Sequence, residues 1–291
     1  MKISLIVPTL NAQGEIGPLL DNLLSQTRVP DQIIVVDSAS DDGTVEEVVA
    51  RSGVELIKIK RSDFNHGATR DMALKRTTGD IICFMTQDAV PVNERYIENL
   101  IAPLLADEQV AASSGRQLPK ADARRYEQLV RGFNYTDESN VRTFDDVKRI
   151  GIKAYFATDV CSAYNRNLYL KLGGFCATDM SEDMYLAAKA INAGYKVAYA
   201  ADAEVRHSHN LSPKQQYARN FAIGRFLERN KDLLACESEV GEGKRLASNI
   251  AKTLVHERNF TELAAFGADC VARFLGNRKG RAAARREMES R

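Results

Sequence analysis

Four short runs rich in apolar and β-branched residues, at 3–7, 32–36, 55–59 and 80–85, recur along the first part of the chain. Helix-like spacing fills the gaps: Ile16, Leu19, Leu20, Leu23 and Leu24 first, then residues 44–51, then 68–75. Residues 96–105 repeat the helical pattern, and 110–114 turn extended again. Parallel strands need a long crossover between them, and a helix supplies it. The alternation therefore predicts right-handed crossovers and an α/β fold with a mostly parallel sheet flanked by helices, over residues 1 to about 115.

Beyond that point the pattern loosens. Residues 121–133 read as a helix carrying Tyr126, Leu129, Val130 and Phe133. The polar stretch 137–146 reads as a mobile loop, and 155–164 as extended. A short helix at 168–172 is closed by Gly173-Gly174, a helix-stop signal. Residues 181–193 form an amphipathic helix ending at Gly194, followed by short strands at 196–199 and 203–205. After Ser212, a capping residue followed by Pro213, the chain reads as helical at 214–234, 244–256 and 261–275. Two domains are expected, an α/β domain over 1–210 and a helical region over 211–291.

With 291 residues there is ample chain for a full core. The net charge of +1 gives no global argument for nucleic acid. The basic end, from Asn277 to Arg291, reads as a solvated helix or as a contact for anionic lipid headgroups. The five cysteines, Cys83, Cys161, Cys176, Cys236 and Cys270, are widely spaced and form no C-x-x-C. They read as reduced thiols of a cytoplasmic protein. The apolar run before Pro8 is too short for a signal peptide, and no stretch reaches the ~18 apolar residues of a membrane-spanning helix.

In open α/β sheets, ligands bind outside the carboxyl ends of the strands. Carboxylates gather at those ends here. Asp37 closes the second apolar run, Asp88 follows the fourth, and Ser181-Glu182-Asp183 opens a later helix. Asp37 could accept the N3–H of a uracil or thymine ring, while Asp41-Asp42-Gly43-Thr44 fits a turn and helix cap. Asp88 suits a hard cation whose other ligands are substrate phosphates. Acids at a helix start are stabilised by its dipole, which also favours an ionised base. His66 and Arg70 stand at a helix start, where anions bind. The alternative for Arg70 is an exposed pairing with Asp71 or Asp63.

The pieces Val7-Pro8-Thr9-Leu10-Asn11, Val36-Asp37-Ser38-Ala39-Ser40-Asp41-Asp42-Gly43-Thr44, His66-Gly67-Ala68-Thr69-Arg70, Thr86-Gln87-Asp88-Ala89, Gly173-Gly174-Phe175, Glu182-Asp183 and His207 fall in one order and spacing. Together they resemble glycosyltransferase family 2, the inverting GT-A enzymes that use nucleotide sugars. The resemblance spans roughly residues 2–210, with a C-terminal helical extension beyond it. The His66–Arg70 stretch with Thr86-Gln87-Asp88-Ala89 resembles the bacterial rhamnosyltransferase branch, which builds surface polysaccharides from dTDP-L-rhamnose.

That resemblance implies roles. Pro8, Thr9, Asp37, His66, Arg70 and Gln87 would bind the nucleotide and donor. Asp88, with His207, would hold a divalent cation, Mg2+ or Mn2+, with His209 a poorer candidate. Thr86 stands where most family members carry the first acid of Asp-x-Asp. Asp183 would be the catalytic base and Glu182 a catalytic-site contact to the acceptor, a saccharide or lipid-linked saccharide. The protein would be cytoplasmic or peripheral at the inner face of the membrane. The alternatives are a UDP-sugar-dependent member of the same family and, in another class, a non-enzymatic nucleotide-sugar-binding protein, which would not need Asp183. An NAD enzyme needs G-x-G-x-x-G after the first strand, and a nucleotidyltransferase a Gly-rich loop with Arg. That place holds Thr9-Leu10-Asn11-Ala12-Gln13 instead.

Overall fold

The computed structural model describes residues 1–178, 180–234 and 240–290. The chain opens with β1 (Ile3–Thr9), α1 (Ile16–Leu24), β2 (Gln32–Asp37), α2 (Thr44–Val49), β3 (Val54–Lys58), α3 (His66–Leu74) and β4 (Ile81–Met85). It continues with β5 (Val90–Pro91), α4 (Tyr96–Ala106), β6 (Val110–Leu118), α5 (Arg125–Asn134), β7 (Asn140–Arg142) and α6 (Phe144–Ile150). Then come β8 (Cys161–Asn165), α7 (Arg166–Lys171), α8 (Glu182–Asn192) and β9 (Lys196–Arg206). The last elements are α9 (Pro213–Arg229), α10 (Val240–His256) and α11 (Phe260–Glu289). Two compact units divide the chain: Met1–Gln117, Thr136–Asp145 and Tyr155–His207 in the first; Leu118–Tyr135, Asp146–Ala154 and Ser208–Arg291 in the second.

The sheet of the first unit runs β3-β2-β1-β4-β8-β6-β9-β5, with β7 beside β9. The expected parallel pairing holds from β3 to β4. Beyond β4 the ladders to β8, and from β8 to β6, are antiparallel, so the sheet is mixed. Both faces of the parallel part are covered, and Leu5, Val7, Val35, Cys83 and Met85 are wholly buried with Leu19, Leu20 and Leu23 of α1. β1 runs past residue 7 through Pro8, paired with Val36. A proline is tolerated there because the β1–β4 ladder ends two residues earlier, at Ile6 and Phe84.

Two expectations change. The stretch 137–146 is not a mobile loop. Val141 pairs with Ala198 on β9, Ala201 N–H donates to Ser139 Oγ at 2.9 Å, and Phe144 starts a helix. An open strand edge supplies the partners that a polar segment lacks locally. The strands expected at 196–199 and 203–205 are one, β9; Asp202 is simply an outward position of a strand whose neighbours at 201 and 203 are buried.

Of the cysteines, Cys83, Cys161, Cys176 and Cys270 are free thiols, and burial pushes Cys83 up to about 12. Cys236 and Arg291 lie outside the described residues. In the second unit Tyr126, Val130, Ile250, Leu254 and Phe266 form a core. Helices α9 and α11 approach so closely that a Cβ on Gly280 would lie 2.0 Å from Phe221 O. No helix among the described residues is long and apolar enough to cross a membrane.

Candidate active site

The carboxyl ends of β1, β2 and β4 open onto a cleft of about 240 Å³ lined by Pro8, Thr9, Ser38, His66, Arg70 and Gln87, among others. Gln87 ties the cleft's floor together. Its Oε1 accepts from Thr9 Oγ1 at 3.0 Å and Leu10 N–H at 2.8 Å, and its Nε2 donates to Leu10 O at 3.1 Å. Asp37 is 1% exposed, and its carboxylate accepts the backbone N–H and the hydroxyl of Ser40. Asp42 accepts Thr44 N–H at 3.0 Å in the turn that leads into α2, whose cap position is Gly43. Asp41 is exposed, with Arg61 at 3.7 Å.

Asp88 and His207 come together through the β5–β9 ladder. Val90 pairs with Arg206 in antiparallel register, so the residues before Val90 lie opposite those after Arg206. His207 Nε2 stands 3.3 Å from Asp88 Oδ2. The other ring nitrogen, Nδ1, lies 2.9 Å from Gln117 Oε1. Gln117 Nε2 in turn donates to Thr158 Oγ1 at 2.9 Å, which leaves its oxygen to accept the Nδ1–H. In that tautomer Nε2 faces the Asp88 carboxylate as an acceptor. Two acceptors at that distance need a proton or a cation between them. The donor set, one carboxylate and one oriented imidazole, fits a borderline divalent ion such as Mn2+. His209 lies two residues farther along the chain and is exposed.

A buried acid cluster forms the other side of the site's chemistry. Arg70 is not exposed and pairs with neither Asp71 nor Asp63. It is 3% exposed, its Nη1 lies 2.9 Å from Glu182 Oε1 and donates to His66 O at 3.1 Å, and its Nε lies 3.8 Å from Asp159 Oδ2. Asp71 instead binds Lys75 and the hydroxyl of Tyr169. Asp183, part-buried at the first turn of α8, accepts from Met184 N–H at 2.7 Å and from Asp159 N–H at 3.2 Å. The helix-start field alone would keep this acid ionised. Burial, then Glu182, then Asp159 push the other way and raise Asp183 well above the ordinary carboxylate value. The same groups raise a carboxyl toward the working range of a general base. Gly67 lets the start of α3 approach this segment; a Cβ there would sit 1.9 Å from Cys176 O. The space beside Gly174 is filled by Asp71 and Tyr169, so it offers no opening to a ligand.

Two residues of this site, Asp159 and Gln117, were not among the sequence candidates. Asp159 had a signal: it is the lone charge between Tyr155 and Tyr164. Gln117 had none, since its role depends on what faces the end of β6.

The family model of glycosyl transferase family 2 matches residues 4–173, more than half the chain. The chain belongs to glycosyl transferase family 2. This glycosyltransferase is 44% identical over 229 residues to the O-antigen chain rhamnosyltransferase RfbN of Salmonella typhimurium, covering 78% of this chain and 72% of that protein. It is 41% identical over 226 residues to the O-antigen chain rhamnosyltransferase WbaN of Salmonella anatum, covering 77% and 71%. Among solved structures, the mannosyltransferase PcManGT from Pyrobaculum calidifontis in complex with GDP-Man and Mn2+ is similar at a TM-score of 0.64 and 19% identity, covering 95% of this chain and 86% of that one. S. aureus TarS 1–349 in complex with UDP-GlcNAc is similar at 0.57 and 20%, covering 88% and 73%. At such identities the structural likeness carries the fold, and the GT-A expectation is borne out.

Proposed function

We propose that this glycosyltransferase moves L-rhamnose from dTDP-L-rhamnose to a saccharide or lipid-linked acceptor in bacterial surface polysaccharide assembly. The observation that carries the reading is the 44% identity to an O-antigen chain rhamnosyltransferase over most of the chain. In the reaction, an acceptor hydroxyl oxygen attacks the anomeric carbon. The bond from that carbon to the diphosphate oxygen breaks, and its electron pair leaves with the diphosphate. Asp183 takes the hydroxyl proton. Attack on the face opposite the leaving group inverts the centre, so a β-L-donor gives an α-L-linkage. Pro8, Thr9 and Asp37 would meet the nucleotide, and His66 and Arg70 the diphosphate. Gln87 serves by fixing the turn after β1, and Glu182 by holding Arg70 and contacting the acceptor. Asp88 and His207, with His209 as a further donor, would hold a cation, Mn2+ or Mg2+. When bound, it supplies positive charge against the departing diphosphate.

Calorimetric titration with dTDP-L-rhamnose, UDP-glucose, UDP-GlcNAc and UDP-galactose tests the donor. A pocket that meets the C6 methyl with apolar contact rejects an added hydroxyl only weakly, by about a hundredfold at most. The expected result is tightest binding and fastest turnover with dTDP-L-rhamnose, with UDP-sugars as weaker ligands. Faster turnover with a UDP-sugar would replace the donor and leave the family untouched.

The same reading gives the second unit a peripheral contact with anionic lipid. On α11, Phe274 is 64% exposed one helical turn before the exposed Arg278 and Lys279, and Val271, 58% exposed, lies a turn earlier. Arg225 and Arg229 of α9 are engaged otherwise, by Glu287. Co-sedimentation with anionic vesicles at low salt should fall when Arg278 and Lys279 are changed to Glu; equal sedimentation of both forms would remove the membrane from the reading.

A further inference from the structure

Three carboxylates form one cluster: Asp159 and Glu182 flank the guanidinium of Arg70, and Asp183 joins through the Asp159 backbone. Glu182 makes the close ion pair, its Oε1 2.9 Å from Arg70 Nη1. Arg70 Nε and Asp159 Oδ2 face each other at 3.8 Å, beyond hydrogen-bond reach, and neither atom finds a partner among the described residues. The other oxygen of Asp159 accepts the hydroxyls of Ser162 and Tyr164, both at 2.7 Å. Asp159 is 3% exposed, at the entry to β8, and its N–H is bonded to Asp183 Oδ2. The two side chains are thus fixed in one relation, with Tyr169 of α7 also within Asp159's field.

We propose that Asp159 is a positioning residue for the transfer, whose charge, held beside the Asp183 carboxylate, sets the pH range in which Asp183 can accept the acceptor's proton. This rests on the reading of Asp183 as the base. With all three acids ionised, the cluster carries two more negative charges than Arg70 cancels. In a dry pocket that excess favours keeping a proton. Burial pushes Asp159 up to about 6, Arg70 opposing and Glu182 adding to the rise. Burial and both neighbouring acids push Asp183 up in turn. The two protons therefore leave as those of a coupled pair. Whenever Asp159 is ionised, Asp183 is the stronger base. Without that charge, Asp183 would ionise at lower pH and pull less on the hydroxyl proton.

The test is a pH titration, by carbon NMR, of the full chain labelled at the aspartate carboxyl carbon, in wild type, Asp159→Asn and Asp183→Asn. Removing the Asp159 charge should lower the Asp183 midpoint by about one pH unit or more, the scale at which two sites titrate as a pair. Coupling is reciprocal, so Asp183→Asn should lower the Asp159 midpoint equally, which keeps the test open if Asp159→Asn does not fold. Unchanged midpoints in either variant overturn the inference. So does an acid limb of dTDP release that stays in place in Asp159→Asn. Near-normal turnover of Asp183→Asn would reject the base instead, and the midpoints would then report only the electrostatics of the cluster.

Discussion

Both units bury acids, and they treat them in opposite ways. In the second unit each has its own cation or donor. Glu228 meets Arg285 at 2.8 Å and Arg281 at 3.7 Å, Asp269 accepts from Gln216 and Arg273, and Glu127 accepts from Arg131. The first unit gathers three acids with one cation, Arg70, and among the described residues leaves both a guanidinium N–H and a carboxylate oxygen without a hydrogen-bond partner. The pKa shifts divide the same way. The Arg285 hydrogen bond lowers Glu228, whereas burial raises Asp159 and Asp183. Neutralised pairs hold helices together. An unbalanced cluster costs stability and is expected where a group must change its protonation during a reaction.

The largest effect should come from removing the group that reacts. Asp183→Asn should lose about two to four powers of ten in turnover, the usual range for a general base, while calorimetry still detects the donor. An activity within a few fold of wild type would make the cluster structural and erase the contrast between the units.

Next is a stability effect of opposite sign in the two units. Asp159 is raised, so the folded protein holds a proton that the unfolded chain gives up. Its contribution is fully present below the ordinary value of 3.8 and is lost as pH rises through about 6. The interval from 3.8 to about 6, at ~1.36 kcal/mol per pH unit, amounts to about 3 kcal/mol. In denaturant unfolding, the stability of wild type relative to Asp159→Asn should fall as pH rises from 4 to 6. Glu228 is lowered, so its contribution is present above the ordinary 4.5 and is lost as pH falls. A wild-type curve parallel to that of Asp159→Asn would refute the assignment of the proton.

The parallel half of the sheet was legible because its signal is local: apolar runs at strand length, then helical spacing. The antiparallel half was legible in part: 110–114, 155–164, 196–199 and 203–205 read as extended, but β7 forms only against the edge of β9, and β9 hides its continuity behind Asp202. The acids themselves were visible at strand ends and a helix start, and the family resemblance implied the pairing of Asp88 with His207. What escaped was the supporting layer. Asp159 and Gln117 act through what the fold brings to them, and the acids around Arg70 are hidden until the fold places Glu182 of α8 beside it. The field of a helix start predicted an ionised Asp183; burial beside two more acids outweighs it, and no residue spacing reports burial.

A smaller effect should follow from that supporting layer. Gln117→Leu keeps the bulk but removes the acceptor for His207 Nδ1–H. Loss of such an orienting partner usually weakens metal binding by about 10–100-fold. Titrating Mn2+ into the protein, followed by water-proton relaxation, reads this without any acceptor. Equal affinity in wild type and variant would detach Gln117 from the cation, and binding retained in Asp88→Asn would detach the site as a whole.

The smallest effect belongs to the second unit, and it separates a neutralised pair from an unbalanced one most sharply. Glu228 is 4% exposed, yet the Arg285 side chain that binds it is 60% exposed. In Glu228→Gln the guanidinium can turn into water, so no charge is stranded inside. The loss should therefore stay near that of an exposed pair, about 1 kcal/mol or less. It should not reach the ~3–5 kcal/mol seen when one partner of a sealed pair is removed. The variant should also lose part of the wild type's destabilisation on acidification, because Glu228 no longer takes up a proton on unfolding. Denaturant unfolding at pH 7 and pH 4 measures both. A loss of several kcal/mol at pH 7 would mean that α9 and α11 seal Glu228 as tightly as the first unit seals Asp159. Pairing, rather than burial, would then be the whole difference between the two regions.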